Sequence, residues 1–313
     1  MADSSENSES VLKYLDPHVL ERIKRLDIRA RRVVEGFLTG QHRSPYNGFA
    51  VEFASHREYT QGDELKHIDW KVWSKTDRLY IKEYEEETNL RCHIVLDCSK
   101  SMGYAGPDGG WRKFDYAATA AASLAYLLQQ QQDAVGLITF NTDVATVMPP
   151  RSSPDQLRRL MHEMEATEVD DQTDVGSAFP KMAQQLRMRG MVVIFSDLFA
   201  DLEDLKTAVQ ELRLRKHEVM IFHVMHDDEI SFPFRDMTKF VSLESDDLLN
   251  TDPRALRKAY IEVVEKYLAK VKKMCGSAGV DYTLVRTDDP LDAVLSRYLA
   301  KRNLKGRGSV ARK

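Results

Sequence analysis

The chain has 313 residues, of which 42% are hydrophobic, and its 45 basic and 49 acidic side chains give a net charge of -4. A full-sized core is therefore possible, and global disorder is not expected. The charge balance offers no concentrated basic face of the kind that phosphate backbones require, so nucleic acid is not expected as a partner.

Targeting signals and cysteine usage indicate the compartment. The N-terminal residues lack the basic and apolar regions of a secretory signal. The longest mostly apolar stretch, residues 117–128, is shorter than the roughly 20 residues that cross a bilayer. The three cysteines, Cys92, Cys98 and Cys275, have neither zinc-site nor disulfide-framework spacing. These features predict a cytoplasmic protein with reduced thiols and no transmembrane segment.

The first part of the chain is predicted to be an attachment to a larger domain. Residues 1–15 are predicted to form a disordered tail, because they are mostly polar. Apolar residues then follow helical spacing at 16–26 and 28–37, and strand-like patterns cover 48–53 and 79–84. We predict that residues 16–89 form a helical and β extension that packs on the main domain and lacks a core of its own.

From residue 90 onward, strand-like and helix-like segments alternate, as is typical of a parallel sheet covered by helices. The predicted strands of this sheet are 92–96, 134–140, 142–148, 190–196, 218–224 and 280–286. One further short strand is predicted at 239–243, within the long acidic segment 226–252. The predicted helices are 112–131, 154–166, 174–188, 201–215, 253–275 and 289–302. Because strand 142–148 follows its predecessor after one residue, we expect a hairpin and one antiparallel edge strand. Residues 90–302 are thus predicted to be an α/β domain with a doubly wound, mostly parallel six-stranded sheet, followed by a basic tail at 303–313.

The ends of two predicted strands carry oxygen-bearing side chains. Asp97, Ser99 and Ser101 follow the apolar run at 93–96, and Asp197 follows the fourth strand. In an open sheet of strand order 3-2-1-4-5-6, the first and fourth strands are neighbours, and ligands bind at the carboxyl edge. Thr173 precedes that fourth strand by one helix and is expected at the same edge. Such oxygen donors suit a hard divalent cation.

These positions resemble the metal-ion-dependent adhesion site of the von Willebrand factor A fold. The resemblance implies that Ser99, Ser101 and Thr173 are direct or water-linked ligands and that Asp97 and Asp197 act largely through ordered waters. It implies Mg²⁺, with Mn²⁺ as an alternative. A donor set rich in neutral hydroxyls leaves much of the positive charge uncompensated, so a partner's Asp or Glu is expected to complete the coordination. Many family members have Gly where this chain has Leu198, and we expect that larger residue to narrow the approach to the ion.

Simpler interpretations exist for several of these residues. A Ser or Asp after a strand is commonly a helix cap, and Asp174 is expected to cap the helix that follows it. Asp227-Asp228-Glu229 is expected to be a solvated acidic loop, with cation binding or shaping of the rim around the adhesion site as the alternatives. His93, His217 and His223 are expected to be packed and neutral. Basic residues at the start of helix 112–131 oppose its dipole, so Arg112 and Lys113 suggest contact with a partner's acid.

A second signature precedes the metal loop. The string Arg57-Glu58-Tyr59-Thr60-Gln61-Gly62-Asp63, continuing to Ile68-Asp69-Trp70, is followed by a strand-like segment at 79–84. It resembles the bacterial von Willebrand A-like family encoded beside MoxR-type AAA+ ATPases. The resemblance implies a chaperone-like accessory or adaptor that acts with such an ATPase. An ion pair among Arg57, Asp63 and Asp69 is expected to fix the extension, and Trp70 and Trp73 are expected to pack in the core, with a binding hot spot as the alternative.

The sequence therefore favours a non-enzymatic, metal-dependent adaptor. The alternative is a metal-dependent hydrolase or phosphotransferase that uses Asp97 as nucleophile. Against it, haloacid-dehalogenase-like enzymes place a second Asp two residues on, where this chain has Ser99. A G-x-S-x-G motif and a phosphate-binding G-x-x-x-x-G-K-[ST] motif are both absent from the sequence. A third hypothesis is a structural protein whose loops bind no metal.

Overall fold

The computed structural model describes residues 25–41, 56–58, 80–82, 90–107, 109–170, 175–186, 188–241, 248–292 and 294–300. The chain forms two compact units, one of residues 1–40 with 90–313 and the other of residues 41–89. The predicted division into a tail, a 16–89 extension and a 90–302 domain stays a prediction. Several of the predictions concern residues outside the described part. These are residues 1–15, 48–53 and 303–313, the pair Asp63 and Asp69, the pair Trp70 and Trp73, and the Arg57 side chain.

The described part of the 41–89 unit is a two-stranded antiparallel pairing. Strand β1 (His56–Glu58) pairs with β2 (Tyr80–Lys82), with Arg57 opposite Ile81. The second of these strands lies inside the segment that was predicted as strand at 79–84.

The larger unit is built on a six-stranded sheet. Its strands are β3 (Arg91–Asp97), β4 (Ala134–Phe140), β5 (Val144–Arg151), β6 (Met191–Ser196), β7 (Glu218–Met225) and β10 (Asp281–Arg286). The strand order is β10-β7-β6-β3-β4-β5, and β5 alone among these six is antiparallel to its neighbour. The predicted α/β class, the doubly wound order and the antiparallel edge strand are confirmed.

Helices cover both faces of this sheet. They are α1 (Leu26–Gln41), α2 (Lys113–Gln130), α3 (Pro154–Ala166), α4 (Val175–Gln185), α5 (Leu202–Leu214), α6 (Asp227–Ser231), α7 (Pro253–Ser277) and α8, the helical residues 294–300. A 3-10 turn covers Lys100–Gly103. The only described strands outside the two sheets above are β8 (Thr238–Val241) and β9 (Leu248–Thr251), an antiparallel pair of which β8 overlaps the predicted strand at 239–243. None of the described helices is long and apolar enough to span a bilayer.

Two apolar layers result from the alternation of side chains along β3. Ile94 and Leu96 face a layer formed with helices α1, α2, α3 and α8, whereas Val95 faces a layer formed with α4, α5 and α7. All three are fully buried, as expected for a central parallel strand covered on both faces. The sheet is therefore held rigid from both sides, and its carboxyl edge is a fixed platform for the loops that follow β3 and β6.

Candidate metal centre

The loop after β3 folds around the carboxylate of Asp97. Asp97 and Ser99 are fully buried, and the Ser99 amide donates to Asp97 Oδ1 at 3.0 Å. The hydroxyl oxygens of Ser99 and Ser101 lie 3.2 Å apart. Ser99 is the residue before the 3-10 turn, but its side chain makes no capping bond there. The Ser99 hydroxyl therefore contacts side chains of the rim and makes no capping bond to the backbone, so the helix-cap interpretation does not apply to Ser99.

The loop after β6 meets this first loop. Leu96 and Phe195 are register partners on the adjacent strands β3 and β6, so Asp97 lies beside Ser196. The Ser196 hydroxyl donates to Asp97 Oδ2 and accepts from the Leu198 amide at 2.9 Å. Asp197 is 7% exposed, and its Oδ1 accepts from the Phe199 amide at 3.2 Å. The structure thus brings Asp97, Ser99, Ser101 and Asp197 to one rim; their role as metal ligands stays a prediction.

Thr173 and Asp174 lie outside the described residues. The chain just before them is tied to the first loop, because the Asp170 amide donates to the Cys98 carbonyl at 3.1 Å. The Asn141 amide group, after β4, reaches the Asp170 carbonyl at 3.4 Å. The segment that leads to Thr173 therefore starts at the same edge of the sheet.

One buried ammonium group lies between two carboxylates at this rim. Lys113, the first residue of α2, is 1% exposed, and its Nζ donates to Asp197 Oδ2 at 2.8 Å and to Glu229 Oε1 at 2.7 Å. Burial opposes the charged form, but these two carboxylates raise the pKa of Lys113 above its ordinary value. The expectation that Lys113 contacts a partner's acid is wrong, since both acids belong to this chain. The dipole mismatch at the start of α2 was nevertheless a sign of nearby acids.

The two aspartates of the rim have opposite protonation tendencies. Burial and, to a smaller extent, repulsion from Asp197 raise the pKa of Asp97 to about 7. Burial would also raise the pKa of Asp197, but the charge and hydrogen bond of Lys113 outweigh it and lower that pKa overall. Asp197 is thus held as a carboxylate by its cation, while Asp97 lacks a cationic contact among the described hydrogen bonds and ion pairs.

Leu198 does not narrow the approach to the rim as expected. Its φ of 52° lies in the left-handed region, and its side chain is fully buried in the layer beside α5 and α7. The Tyr267 hydroxyl of α7 donates to its carbonyl oxygen. The positive φ explains why Gly suits this position, and it turns the Leu side chain inward and away from the rim. The next residue, Phe199, is exposed instead, with 68% of its surface accessible. No sequence signal distinguished Phe199.

The acidic segment after β7 is not a solvated loop. It forms the short helix α6, in which each acid has a contact: Asp227 pairs with Arg286, and Asp228 accepts from the Tyr104 hydroxyl at 3.0 Å. Glu229 serves twice, because Oε2 accepts from the His226 amide while Oε1 binds Lys113. The alternative that this segment shapes the rim agrees with the position of Glu229, whose contact with Lys113 depends on the tertiary fold.

The histidines of the sheet behave as packed, neutral side chains. Burial lowers the pKa of His93 and of His223 to about 4 and also lowers that of His217. His223 Nδ1 lies 2.8 Å from the Tyr282 hydroxyl. These values support the expected structural role.

The donor set of the rim fits a hard divalent cation. In the described part of the chain, no group of three or more His, Cys, Asp or Glu side chains is arranged to hold a metal. The rim instead offers two hydroxyls and two carboxylates, and the carboxylate oxygens already accept hydrogen bonds. That arrangement matches a site in which hydroxyls are the direct donors and the carboxylates act through water. Asp97, Asp197 and Glu229 are buried or half-buried acids near a single ammonium group. The site can therefore accept further positive charge.

The chain is similar in sequence to uncharacterized mycobacterial proteins. The chain is 24% identical over 301 residues to the uncharacterized protein Rv1480 of Mycobacterium tuberculosis, covering 95% of this chain and 92% of the relative. The same values hold for the uncharacterized protein Mb1516 of Mycobacterium bovis.

Similar solved structures include the conserved hypothetical protein BatB from Bacteroides thetaiotaomicron, which is 15% identical with a TM-score of 0.45, covering 68% of this chain and 98% of that chain. The SpRpn10 VWA domain is 12% identical with a TM-score of 0.40, covering 67% and 95%. The family described as "Protein of unknown function DUF58" matches residues 55–269, more than half of the chain. The chain therefore belongs to the DUF58 family.

Proposed function

We propose that this protein is a non-enzymatic, divalent-metal-dependent protein-binding adaptor. It acts beside a MoxR-type AAA+ ATPase in chaperone-like assembly or activation of client proteins, in the cytoplasm. The observation that carries the metal site is the meeting of the Asp97-Ser99-Ser101 loop with Asp197 at one buried rim. The ATPase partnership is supported by the sequence signature at 57–70, and the cytoplasmic location by three free, buried cysteines.

The chemistry of the rim favours binding over reaction. Ser99, Ser101 and Thr173 would hold Mg²⁺ or Mn²⁺ through hydroxyl oxygens, and Asp97 and Asp197 would orient its waters. When bound, the cation supplies a Lewis-acid position that an outside carboxylate can fill. Because the hydroxyls are neutral, they leave that position more attractive to a partner's Asp or Glu than a ring of carboxylates would.

Phe199 offers a second contact for the same partner. Its amide is tied to Asp197 Oδ1, and the carbonyl of the preceding residue accepts from Tyr267 and from the Ala200 amide at 2.7 Å. The backbone is thus fixed on both sides while the ring stays exposed. An exposed aromatic ring on a rigid loop, two residues from the acid that orients the cation, has the properties of a binding hot spot. We propose that the partner places an apolar side chain there, next to its acidic residue.

The hydrolase alternative is less well supported. A nucleophilic carboxylate needs an accessible oxygen, whereas Asp97 is fully buried and both its oxygens accept hydrogen bonds. The residue two positions on is Ser99, which cannot act as the carboxylic acid/base that a phospho-aspartyl mechanism uses.

The adaptor function predicts that binding of the MoxR-type ATPase from the same genome depends on the rim. Asp97→Asn preserves shape but removes the charge, so we expect at least a tenfold weaker Kd, and Phe199→Ser should weaken binding by a similar factor. Asp143→Asn is the matched control, because Asp143 is an exposed carboxylate on the turn after β4, at the same edge, where it pairs with Lys181. Biolayer interferometry in constant Mg²⁺ and nucleotide measures all four proteins. Equal binding by wild type and Asp97→Asn, or no binding by wild type, contradicts the proposal.

A further inference from the structure

Lys113 occupies a position that is unfavourable for a cation unless acids compensate it. It begins α2, where the helix dipole presents positive partial charge, and its side chain is almost completely removed from water. A surface lysine at this position could turn toward solvent, but this one reaches inward to the rim. Its burial therefore requires the two acids that it contacts.

These contacts connect three separate elements. Asp197 follows β6, Glu229 belongs to α6, and the ammonium group of Lys113 bridges them from α2. With Asp97 added, the rim carries three acidic groups near one fixed positive charge. Removal of that charge would leave Asp197 and Glu229 buried or half-buried with no cation beside them among the described residues.

We infer that Lys113 is a resident cation: it compensates the rim acids while no metal is bound, and it limits how tightly a divalent cation binds. This inference rests on the proposed metal site. A divalent cation at the hydroxyls and Lys113 would both draw on Asp197, and like charges at such short range repel strongly in a site of low dielectric. Lys113 thus stabilises the metal-free fold and weakens metal binding, so that the metal stays exchangeable.

Lys113→Met keeps the length of the side chain and removes its charge. We expect this variant to be less stable than wild type without metal but to bind Mg²⁺ more tightly. In EDTA, its Tm should fall by roughly 10 °C, because one partner of a buried ion pair has been removed. In calorimetric titration with Mg²⁺, its Kd should be at least about tenfold lower than that of wild type, equivalent to about 1.4 kcal/mol. The gain in Tm on addition of Mg²⁺ should be correspondingly larger. Lys113→Arg keeps the charge and should retain most of the wild-type Tm in EDTA.

Arg112→Met is the matched control. Arg112 is the neighbouring residue, half exposed, and pairs with Asp115 instead of the rim, so neither the Tm in EDTA nor the Mg²⁺ affinity should change appreciably. Glu229→Gln provides a second test in case Lys113→Met does not fold. It leaves Lys113 with a single acid and makes the rim more positive, so Mg²⁺ should bind more weakly than in wild type.

The outcomes separate this inference from the proposed function. Absence of Mg²⁺ binding in wild type overturns the metal site. Tighter binding in Lys113→Met together with weaker binding in Glu229→Gln supports the resident cation. Unchanged or weaker binding in Lys113→Met, while wild type still binds, overturns this inference and leaves the metal site intact.

Discussion

At the residue scale, Leu198 links the core to the candidate metal centre. A non-glycine residue in the left-handed region costs roughly 1–2 kcal/mol of strain. Here that strain is offset by complete burial of the side chain in the layer beside α5 and α7. The result is a turn in which the Leu198 side chain packs in the core, the Asp197 carboxylate lies in the buried rim and the Phe199 ring is exposed.

At Leu198 the usual order of stability should be reversed, so that the glycine variant is more stable than the alanine variant. Leu198→Ala loses the buried side chain but keeps the strain, at a cost of about 2–4 kcal/mol. Leu198→Gly also loses the side chain but relieves the strain, so it should be more stable than the Ala variant by about 1 kcal/mol. Urea unfolding in EDTA measures both variants.

Leu205 is the control for this pair, since it is equally buried in the same layer but lies within α5. Leu205→Gly should be less stable than Leu205→Ala by about 1 kcal/mol, because glycine weakens a helix interior. If Leu198→Gly is also the weaker variant at its own position, the strain is not released and this account of the turn is wrong.

The same residue shows the limit of sequence reasoning at this scale. The departure from glycine was visible in the sequence, but the sign of φ at Leu198 was not. Without that sign, the side chain was expected to lie at the approach to the metal, whereas it packs in the apolar core. Lys113 shows the same limit, because its conflict with the helix dipole led to the expectation of a partner's acid, whereas the acids it contacts are Asp197 and Glu229 of this chain.

At the scale of elements, the two outer strands on one side of the sheet, β4 and β5, approach each other closely. A Cβ atom on Gly136 of β4 would lie 2.5 Å from the Met148 carbonyl oxygen and 2.9 Å from the Pro150 nitrogen. The register shifts between Val135 and Leu137, so this glycine occupies an irregularity of the pairing. Backbone atoms, not a flexible side chain, would have to move to accommodate an added methyl group.

Two glycine-to-alanine changes should therefore have opposite effects. Gly136→Ala should lower the free energy of unfolding by about 1–3 kcal/mol, because it forces β5 away from β4. Gly276→Ala in α7 should raise it by about 0.5–1 kcal/mol, because a Cβ there meets nothing within 4 Å and alanine favours a helix. Denaturant melts of both variants test this, and a destabilised Gly276→Ala would contradict the helical environment assigned to it.

Within the described residues of the larger unit, the predicted and observed elements agree where a long periodic or largely apolar segment exists. Apart from His93 and Ser196, the strands at 92–96 and 190–196 carry no polar side chains, because they are buried on both faces, and α2 is rich in buried alanines. The segment at 226–252 has no such period, so α6 and β9 could not be predicted. The formation of α6 depends on tertiary contacts such as those of Asp227 with Arg286 and Glu229 with Lys113.

At the scale of the whole molecule, topology creates the rim. Asp97 and Asp197 are one hundred positions apart in the chain and become neighbours because β3 and β6 are adjacent parallel strands. This convergence was predictable from the order of strands along the chain, whereas the internal charge of Lys113 was not. The chain thus assembles an acidic, hydroxyl-rich edge around one fixed ammonium group, and the proposed adaptor function depends on that edge binding a divalent ion.

The most direct measurement is an anomalous difference map from crystals of the wild-type protein soaked in Mn²⁺. We expect one strong peak within direct coordination distance of the Ser99 and Ser101 hydroxyl oxygens, with Asp197 close by and Lys113 still paired to it. An ordered rim with no peak at saturating Mn²⁺ would rule out the proposed metal site.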